Sequence, residues 1–260
     1  MHQNKEWVAV DYSKKIFLTF DIDWAIDEVI QDTCRILDDY NVSATFFITH
    51  LSPYLDVMRK NNNFELGIHP NFNGLLDGTG SGIGIGTIHG NFEDIISNLL
   101  EIVPEAVSFR SHCLTQGTRL SMSLREKLTY DLNYFIPLKA NMPLKPFKNP
   151  ANMLTVPFFF ADDVAFTSGD FGNVNIKSYL NIGDSLKVFS FHPIHVFLNT
   201  ECQLRYTQAK EYYKDYANLC KYINDVNFGT KDFLIQLLEM ATKWGYTFHK
   251  INEIESEIYL

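Results

Sequence analysis

Ile16-Phe17-Leu18-Thr19-Phe20-Asp21-Ile22-Asp23-Trp24 is an apolar run of strand length that ends in two carboxylates. Four later runs end in the same way. Residues 64–68 lead into His69-Pro70-Asn71-Phe72-Asn73, and residues 106–109 into Arg110-Ser111-His112. Residues 158–161 lead into Asp162-Asp163, and residues 187–191 into His192-Pro193-Ile194-His195. Between these runs lie segments of helical spacing, such as Ile26, Val29, Ile30, Ile36 and Leu37.

Residues 42–48 read as a second strand, and Ser52-Pro53 opens a short helix. Residues 93–103 carry Ile95, Ile96, Leu99, Leu100 and Val103 on one helical side. Residues 121–132 read as a helix, 134–137 as a short strand, 139–153 as irregular and 154–160 as one strand. Residues 211–223 and 230–244 read as helices, and 246–251 as a closing strand. Residues 74–90 hold seven glycines and read as a loop. The alternation predicts a parallel α/β fold, barrel or open sheet, in one domain over residues 1–260. Strand C-termini are where α/β barrels place their chemistry.

The 260 residues are 46% apolar, ample for a core, and the formal charge of −9 argues against nucleic acid, whose phosphates need Lys and Arg. Cys34, Cys113, Cys202 and Cys220 form no CxxC pair and read as reduced thiols. The first twelve residues lack an apolar signal region, and no apolar run reaches 18 residues. The expectation is a cytoplasmic protein without a membrane span.

Asp21 and Asp23, two apart on a strand, point to one face and repel each other unless a cation compensates. One metal ligand plus one general base is the functional reading, and a strand-end turn capping a helix is the alternative. His69 suits a metal ligand. Arg110 and His112 are also two apart, and an inward Arg orients carboxylates. One of Asp162 and Asp163 is expected to hold a histidine in one tautomer. His192 is the candidate general acid. His112, His195 and Trp24 are further pocket candidates, while His50 and His89 read as loop residues.

Taken together, Thr19-Phe20-Asp21-x-Asp23, His69, Arg110, Asp162 or Asp163 and His192 resemble the polysaccharide deacetylase family. This is the NodB-homology group of carbohydrate esterases, in its Asp-x-Asp branch. The resemblance covers roughly residues 15–197, and residues 67–73 and 192–199 are similar to a bacterial subgroup encoded with surface-polysaccharide (O-antigen-type) genes. It implies a distorted, incomplete (β/α) barrel. It implies Asp21 as catalytic base, Asp23 and His69 as metal ligands, and Arg110 as the partner of the base. Asp162 or Asp163 would support His192, the catalytic acid.

In one position the chain departs from the family. A second ligand histidine is expected four residues after the first, and here that residue is Asn73. Asn73 is therefore expected beside the metal, with an amide oxygen weaker than imidazole for zinc. Replacement by His89, His112 or His195, or a weak or absent metal site, are the alternatives. The implied cofactor is one divalent metal, zinc first, with cobalt, manganese or nickel as alternatives. The implied reaction is removal of an N-acyl group, acetyl by preference, from a small-molecule or lipid-linked sugar in surface-polysaccharide biosynthesis. A hydrolase of non-sugar linear or cyclic amides and a catalytically silent sugar-binding protein are the rival readings.

Overall fold

A computed structural model describes residues 7–8, 10–76, 91–168, 171, 174–254 and 258–259. The glycine-rich stretch through residue 90 and His89 lie outside the described residues, apart from residues 74–76. Among the described residues the strands are β1 (Trp7–Val8), β2 (Lys15–Asp21), β3 (Ala44–Ile48), β4 (Phe64–Ile68), β5 (Ser108–Phe109) and β6 (Tyr130–Asp131). They continue with β7 (Phe147–Lys148), β8 (Leu154–Thr155), β9 (Phe160–Ala161), β10 (Val188–Phe191), β11 (Thr247–His249) and β12 (Ile258–Tyr259).

The main sheet runs in the order β7-β8-β6-β5-β4-β3-β2-β10-β9, with β11 also paired to β2. Its pairings are parallel except β7 with β8. β1 and β12 form a separate antiparallel pair.

Chain length forces this sheet to curl. β8 and β9 lie seven strand steps apart in the order, about 34 Å in a flat sheet. Only residues 156–159 join them, so Thr155 to Phe160 can span about 18 Å at most. The two edges must therefore approach, and Phe135 and Phe158 bridge near the seam. The result is an incomplete α/β barrel. Every residue of β3 and β10 is buried, as expected for strands covered on both faces.

Helices α1 (Asp27–Asp39), α2 (Leu55–Arg59), α3 (Asn73–Leu76), α4 (Phe92–Ile102) and α5 (Thr118–Leu124) follow the early strands. α6 (Asp162–Thr167), α7 (Ile176–Leu180), α8 (Pro193–Leu198), α9 (Gln203–Ala209), α10 (Tyr216–Leu219) and α11 (Thr230–Lys243) follow the later ones. α1 buries Val29, Ile30, Thr33, Cys34, Ile36 and Leu37, a helical stripe. α11 buries Phe233, Leu234, Leu237, Leu238 and Ala241, and Phe233 stacks on Phe160 of β9 at 4.5 Å.

Some elements differ from expectation. Residues 154–160 are two strands, because Pro157 cannot donate to a ladder and the chain changes edges there. Leu120, Leu124 and Leu128 continue a helical stripe, yet α5 ends at Leu124 and the chain enters β6 at Tyr130. Residues 211–223 are broken into 3-10 turns and α10, which Asp215 restarts by accepting the Asn218 N–H. Residues 134–137 contribute one bridge rather than a strand.

At the N-terminal ends of the strands, Glu65 of β4 is buried between its neighbours. It accepts Thr45 Oγ1 (2.8 Å), Ser108 Oγ (2.9 Å) and the Asn252 N–H (2.9 Å). Gly67 is needed two residues on, since a Cβ there would lie 2.6 Å from Ser108 Oγ and 2.8 Å from Phe47.

Candidate active site and metal centre

The C-terminal strand ends surround a cavity of about 360 Å³. Asp21, Asp23, His69, Arg110, His112, Asp163, His192 and His195 line it, with Phe135, Phe158, Phe166 and Tyr206. Asp21 closes β2. The chain then leaves strand geometry, for Asp23 and Trp24 have φ of +37° and +58°. Such non-glycine conformations cost on the order of 1–3 kcal/mol each and persist where the surroundings over-determine them. Here the Trp24 N–H is held by Thr49 Oγ1 (3.1 Å) and the Ala25 N–H by the Ile22 carbonyl (2.8 Å). Asp23 thus reaches the pocket through a left-handed turn, not through the strand alternation expected.

Asp23 Oδ1 lies 3.2 Å from His69 Nε2 and 3.3 Å from His112 Nδ1, and the two ring nitrogens are 3.4 Å apart. Tetrahedral zinc with ligands at 2.0–2.1 Å has ligand–ligand edges of about 3.3 Å. Asp23 Oδ1 is buried with no hydrogen-bond donor on it. Burial works to raise the Asp23 carboxyl, but His112, His69 and the His192 charge outweigh it and hold it well below the usual range. The donor set and its spacing fit a divalent cation.

Asn73 is not among the residues lining the cavity. An Asx turn, Asn73 N–H to Asn71 Oδ1 (2.9 Å), starts α3 and sends the Asn73 amide to Cys113 Sγ (3.5 Å). The third donor in the cluster is His112, from the loop after β5. Trp24 braces it with an edge-on ring at 5.1 Å.

Arg110 is 1% exposed and makes four hydrogen bonds. Its Nη1 donates to Asp21 Oδ1 (3.0 Å) and Ser190 Oγ (2.9 Å), its Nη2 to Thr19 Oγ1 (2.9 Å) and its Nε to the Leu132 carbonyl (3.3 Å). Phe47 and Phe158 lie near its guanidinium at 4.9 and 4.5 Å. The roles of Thr19 and Ser190 as acceptors for Arg110 are not read from the sequence, where each is a lone hydroxyl residue inside an apolar strand run.

Asp162, not Asp163, meets His192. Asp162 Oδ1 lies 2.7 Å from His192 Nδ1, and Asp162 Oδ2 accepts the His192 N–H (2.8 Å). Asp163 is exposed and accepts the Val164 N–H instead. Burial alone would lower His192, but the Asp162 charge and hydrogen bond outweigh it and raise it well above the usual imidazole range. His192 Nε2 is left 3.7 Å from Asp23 Oδ2. His195 is buried beside Phe166 and Tyr206, with Nδ1 3.2 Å from Thr200 Oγ1, and burial pushes it well below its usual range. His50 contacts Thr49 Oγ1 (2.8 Å) and is not among the cavity-lining residues.

The model of the WbmS-like polysaccharide deacetylases matches residues 18–210 of this sequence. The chain belongs to that family. A Bordetella bronchiseptica crystal structure, provisionally assigned as a polysaccharide deacetylase involved in O-antigen biosynthesis, is 37% identical with a TM-score of 0.79. The match covers 88% of this chain and 91% of that one.

More distant similarity extends to a xylanase-associated family 4 esterase domain from the hindgut metagenome of Trinervitermes trinervoides. It is 16% identical, with a TM-score of 0.46 over 95% of this chain and 94% of that one. A family 4 acetyl xylan esterase from Clostridium thermocellum, in complex with a cobalt ion, is 15% identical. Its TM-score is 0.49 over 92% of this chain and 89% of that one. The search of curated proteins found no significant match. The curled, incomplete barrel of this family is the one expected from the motifs. No helix among the described residues is long and apolar enough to cross a membrane.

Proposed function

We propose that this chain, as one catalytic domain over residues 1–260, hydrolyses the N-acetyl group of a sugar in surface-polysaccharide biosynthesis. Asp23, His69 and His112 would hold one divalent cation, zinc by preference. The observation that carries the reading is the cluster around Asp23 Oδ1, a buried carboxylate oxygen with two imidazole nitrogens within 3.3 Å. Such a cation, when bound, supplies Lewis acidity toward the acyl carbonyl and the attacking water.

The remaining steps belong to the chain's own groups. Asp21, aimed by Arg110 through Oδ1, takes a proton from the attacking water as the new C–O bond forms. His192 enters the reaction protonated, since Asp162 holds its Nδ1. Its Nε2 gives a proton to the amide nitrogen as the C–N bond breaks, which yields a neutral amine and a carboxylic acid, and the acid then gives its proton to solvent. Without that proton the leaving group would be an amide anion. Phe135, Phe158, Phe166 and Tyr206 supply apolar walls for a sugar ring and an acyl methyl. The free thiols at Cys34, Cys113, Cys202 and Cys220 support a reducing, cytoplasmic setting and hence a nucleotide-activated or lipid-linked sugar.

The test pairs elemental analysis of the purified protein with an assay of acetate release. Substrates are N-acetylated sugar nucleotides and lipid-linked sugars, with zinc, cobalt, manganese or nickel added in turn. One metal per chain and metal-dependent release are expected. No metal and no release would make the chain a silent binding protein. Release from simple linear or cyclic amides alone would make it a non-sugar amidohydrolase.

A further inference from the structure

β5 is only two residues long, and the segment after it carries both Arg110 and His112. On the β4 side the ladder continues in ordinary fashion. The Arg110 N–H donates to the Ile68 carbonyl (3.2 Å) and the His112 N–H to the Pro70 carbonyl (2.9 Å). On the β6 side the Tyr130 N–H donates to the Val107 carbonyl and the Leu132 N–H to the Phe109 carbonyl. A parallel ladder would next send the Ser111 N–H to the Leu132 carbonyl. It does not. The Leu132 carbonyl accepts Arg110 Nε, and the Ser111 N–H donates to the side-chain oxygen of Asn133 at 2.8 Å.

Asn133 is itself held. Its Nδ2 and its backbone N–H both donate to Asp131 Oδ1 (2.7 and 3.1 Å), and Asn149 Nδ2 donates to Asp131 Oδ2 (3.3 Å). Asp131, Asn133 and Asn149 are 2, 1 and 8% exposed, so water does not supply these bonds. Among the described residues Asp131 has no cation at ion-pair distance, and its carboxylate is occupied by amides. A buried carboxylate with this arrangement orients its neighbours.

We propose that Asn133, fixed by Asp131, is the positioning residue of the catalytic loop. Its amide oxygen replaces the Leu132 carbonyl as acceptor for Ser111. That substitution frees the carbonyl to orient Arg110 and turns the loop so that His112 faces Asp23. This rests on the reading of Asp23, His69 and His112 as a metal centre only for its consequence, not for its geometry.

Hydrogen exchange on the metal-free chain tests the geometry. Asn133→Ala should raise exchange in peptides spanning residues 110–114 by about tenfold or more, a local opening. The exchanged pair Asp131→Asn with Asn133→Asp keeps an acceptor for Ser111 and a donor between the two side chains, so it should recover most of the protection. Cobalt titration then reads the consequence. Affinity should fall about 10–100-fold in Asn133→Ala, the usual cost of losing a group that orients a ligand, and recover in the exchanged pair.

Glu65→Gln, at the opposite end of the strands, should lower thermal stability without either change. If Asn133→Ala does not fold, Asn133→Ser, whose hydroxyl is too short to reach both partners, gives the same readings. Unaltered exchange at residues 110–114 in the folded variant overturns the proposal, whatever the cobalt result. A wild-type chain that takes up no cobalt removes the metal reading and leaves the exchange result to decide the positioning role.

Discussion

The two ends of β4 treat buried polar groups in opposite ways. Glu65, near its start, has three donors on its carboxylate, from β3, β5 and the segment after β11. His69, just past its end, keeps Nδ1 buried 3.7 Å from Asp21 Oδ1 and turns Nε2 to Asp23 Oδ1 (3.2 Å), and among the described residues neither His69 Nδ1 nor Asp23 Oδ1 has a hydrogen bond. An unsatisfied buried polar group costs on the order of 1–3 kcal/mol. The backbone repeats the contrast. At the floor the positive-φ residues ahead of β3 and β8 are Asn41 and Asn152, a type that adopts this region readily, whereas at the mouth they are Asp23, Trp24, Cys113 and Leu114. Polar burial holds the sheet together at the floor. At the mouth it is left incomplete and strained, the signature of a site built to act on something else.

Substitutions at the mouth should break this contrast most. Asp21→Asn is expected to lower turnover by about 10²–10⁴-fold, the range for losing a general base, with bound metal unchanged. Metal loss in that variant, read by elemental analysis, would make Asp21 a ligand instead. Asp23→Ala should lose both metal and turnover.

The next effect separates two candidate ligands. His112→Ala should weaken zinc by at least about 10–100-fold, judged against the cost of changing a supporting residue. Asn73→Ala should leave affinity within about twofold, because its amide points to Cys113. The reverse order in calorimetric titrations would return Asn73 to the metal.

A third change concerns pH. His192 is raised because the Asp162 charge and hydrogen bond outweigh burial. As a general acid it works while protonated, so activity is retained below its raised pKa and lost as pH rises through it. Asp162→Asn removes the largest raising cause, so the alkaline limb of kcat should move to lower pH. An unmoved limb would mean that another group sets it.

The smallest effect lies at the floor. Glu65→Gln should cost ~1–3 kcal/mol of stability. Metal affinity and turnover should not move. Burial raises the Glu65 carboxyl despite its hydrogen bonds. The wild type therefore gains relative stability below the ordinary carboxyl range and loses it as pH rises through the raised pKa. Thermal melts of the variant across that window should lack this slope.

Much of the site was legible because its groups end apolar runs. Asp21, Asp23, His69, Arg110 and His192 were identified in this way, and all line the cavity. The spacing rule expects Asn73 beside the metal, whereas the structure turns its amide to Cys113. Four residues after His69 is a helical step only if the turn is helical there, and the Asx turn at Asn71 redirects the side chain. His112 could be seen as a pocket candidate, but no local pattern made it the third donor. Ser190 was hidden within an apolar strand, and Asn133 falls between a stretch read as helix, 121–132, and one read as a short strand, 134–137.

Periodicity and motif order, both local properties of the chain, were enough for an α/β chain with its chemistry at the strand ends and for the Asp21–Arg110 pairing that the family pattern implies. Local pattern could not show that residues 154–160 divide between the two edges of the sheet. That follows from how strands order themselves in space and from a linker too short for anything but a curled sheet. The placement of His112 against Asp23 with Asn73 turned to Cys113, and of Asp162 and not Asp163 against His192, is of the same kind. Each depends on where two distant turns aim their side chains, and such directions are set by packing and hydrogen bonds across the fold, not by spacing along the chain.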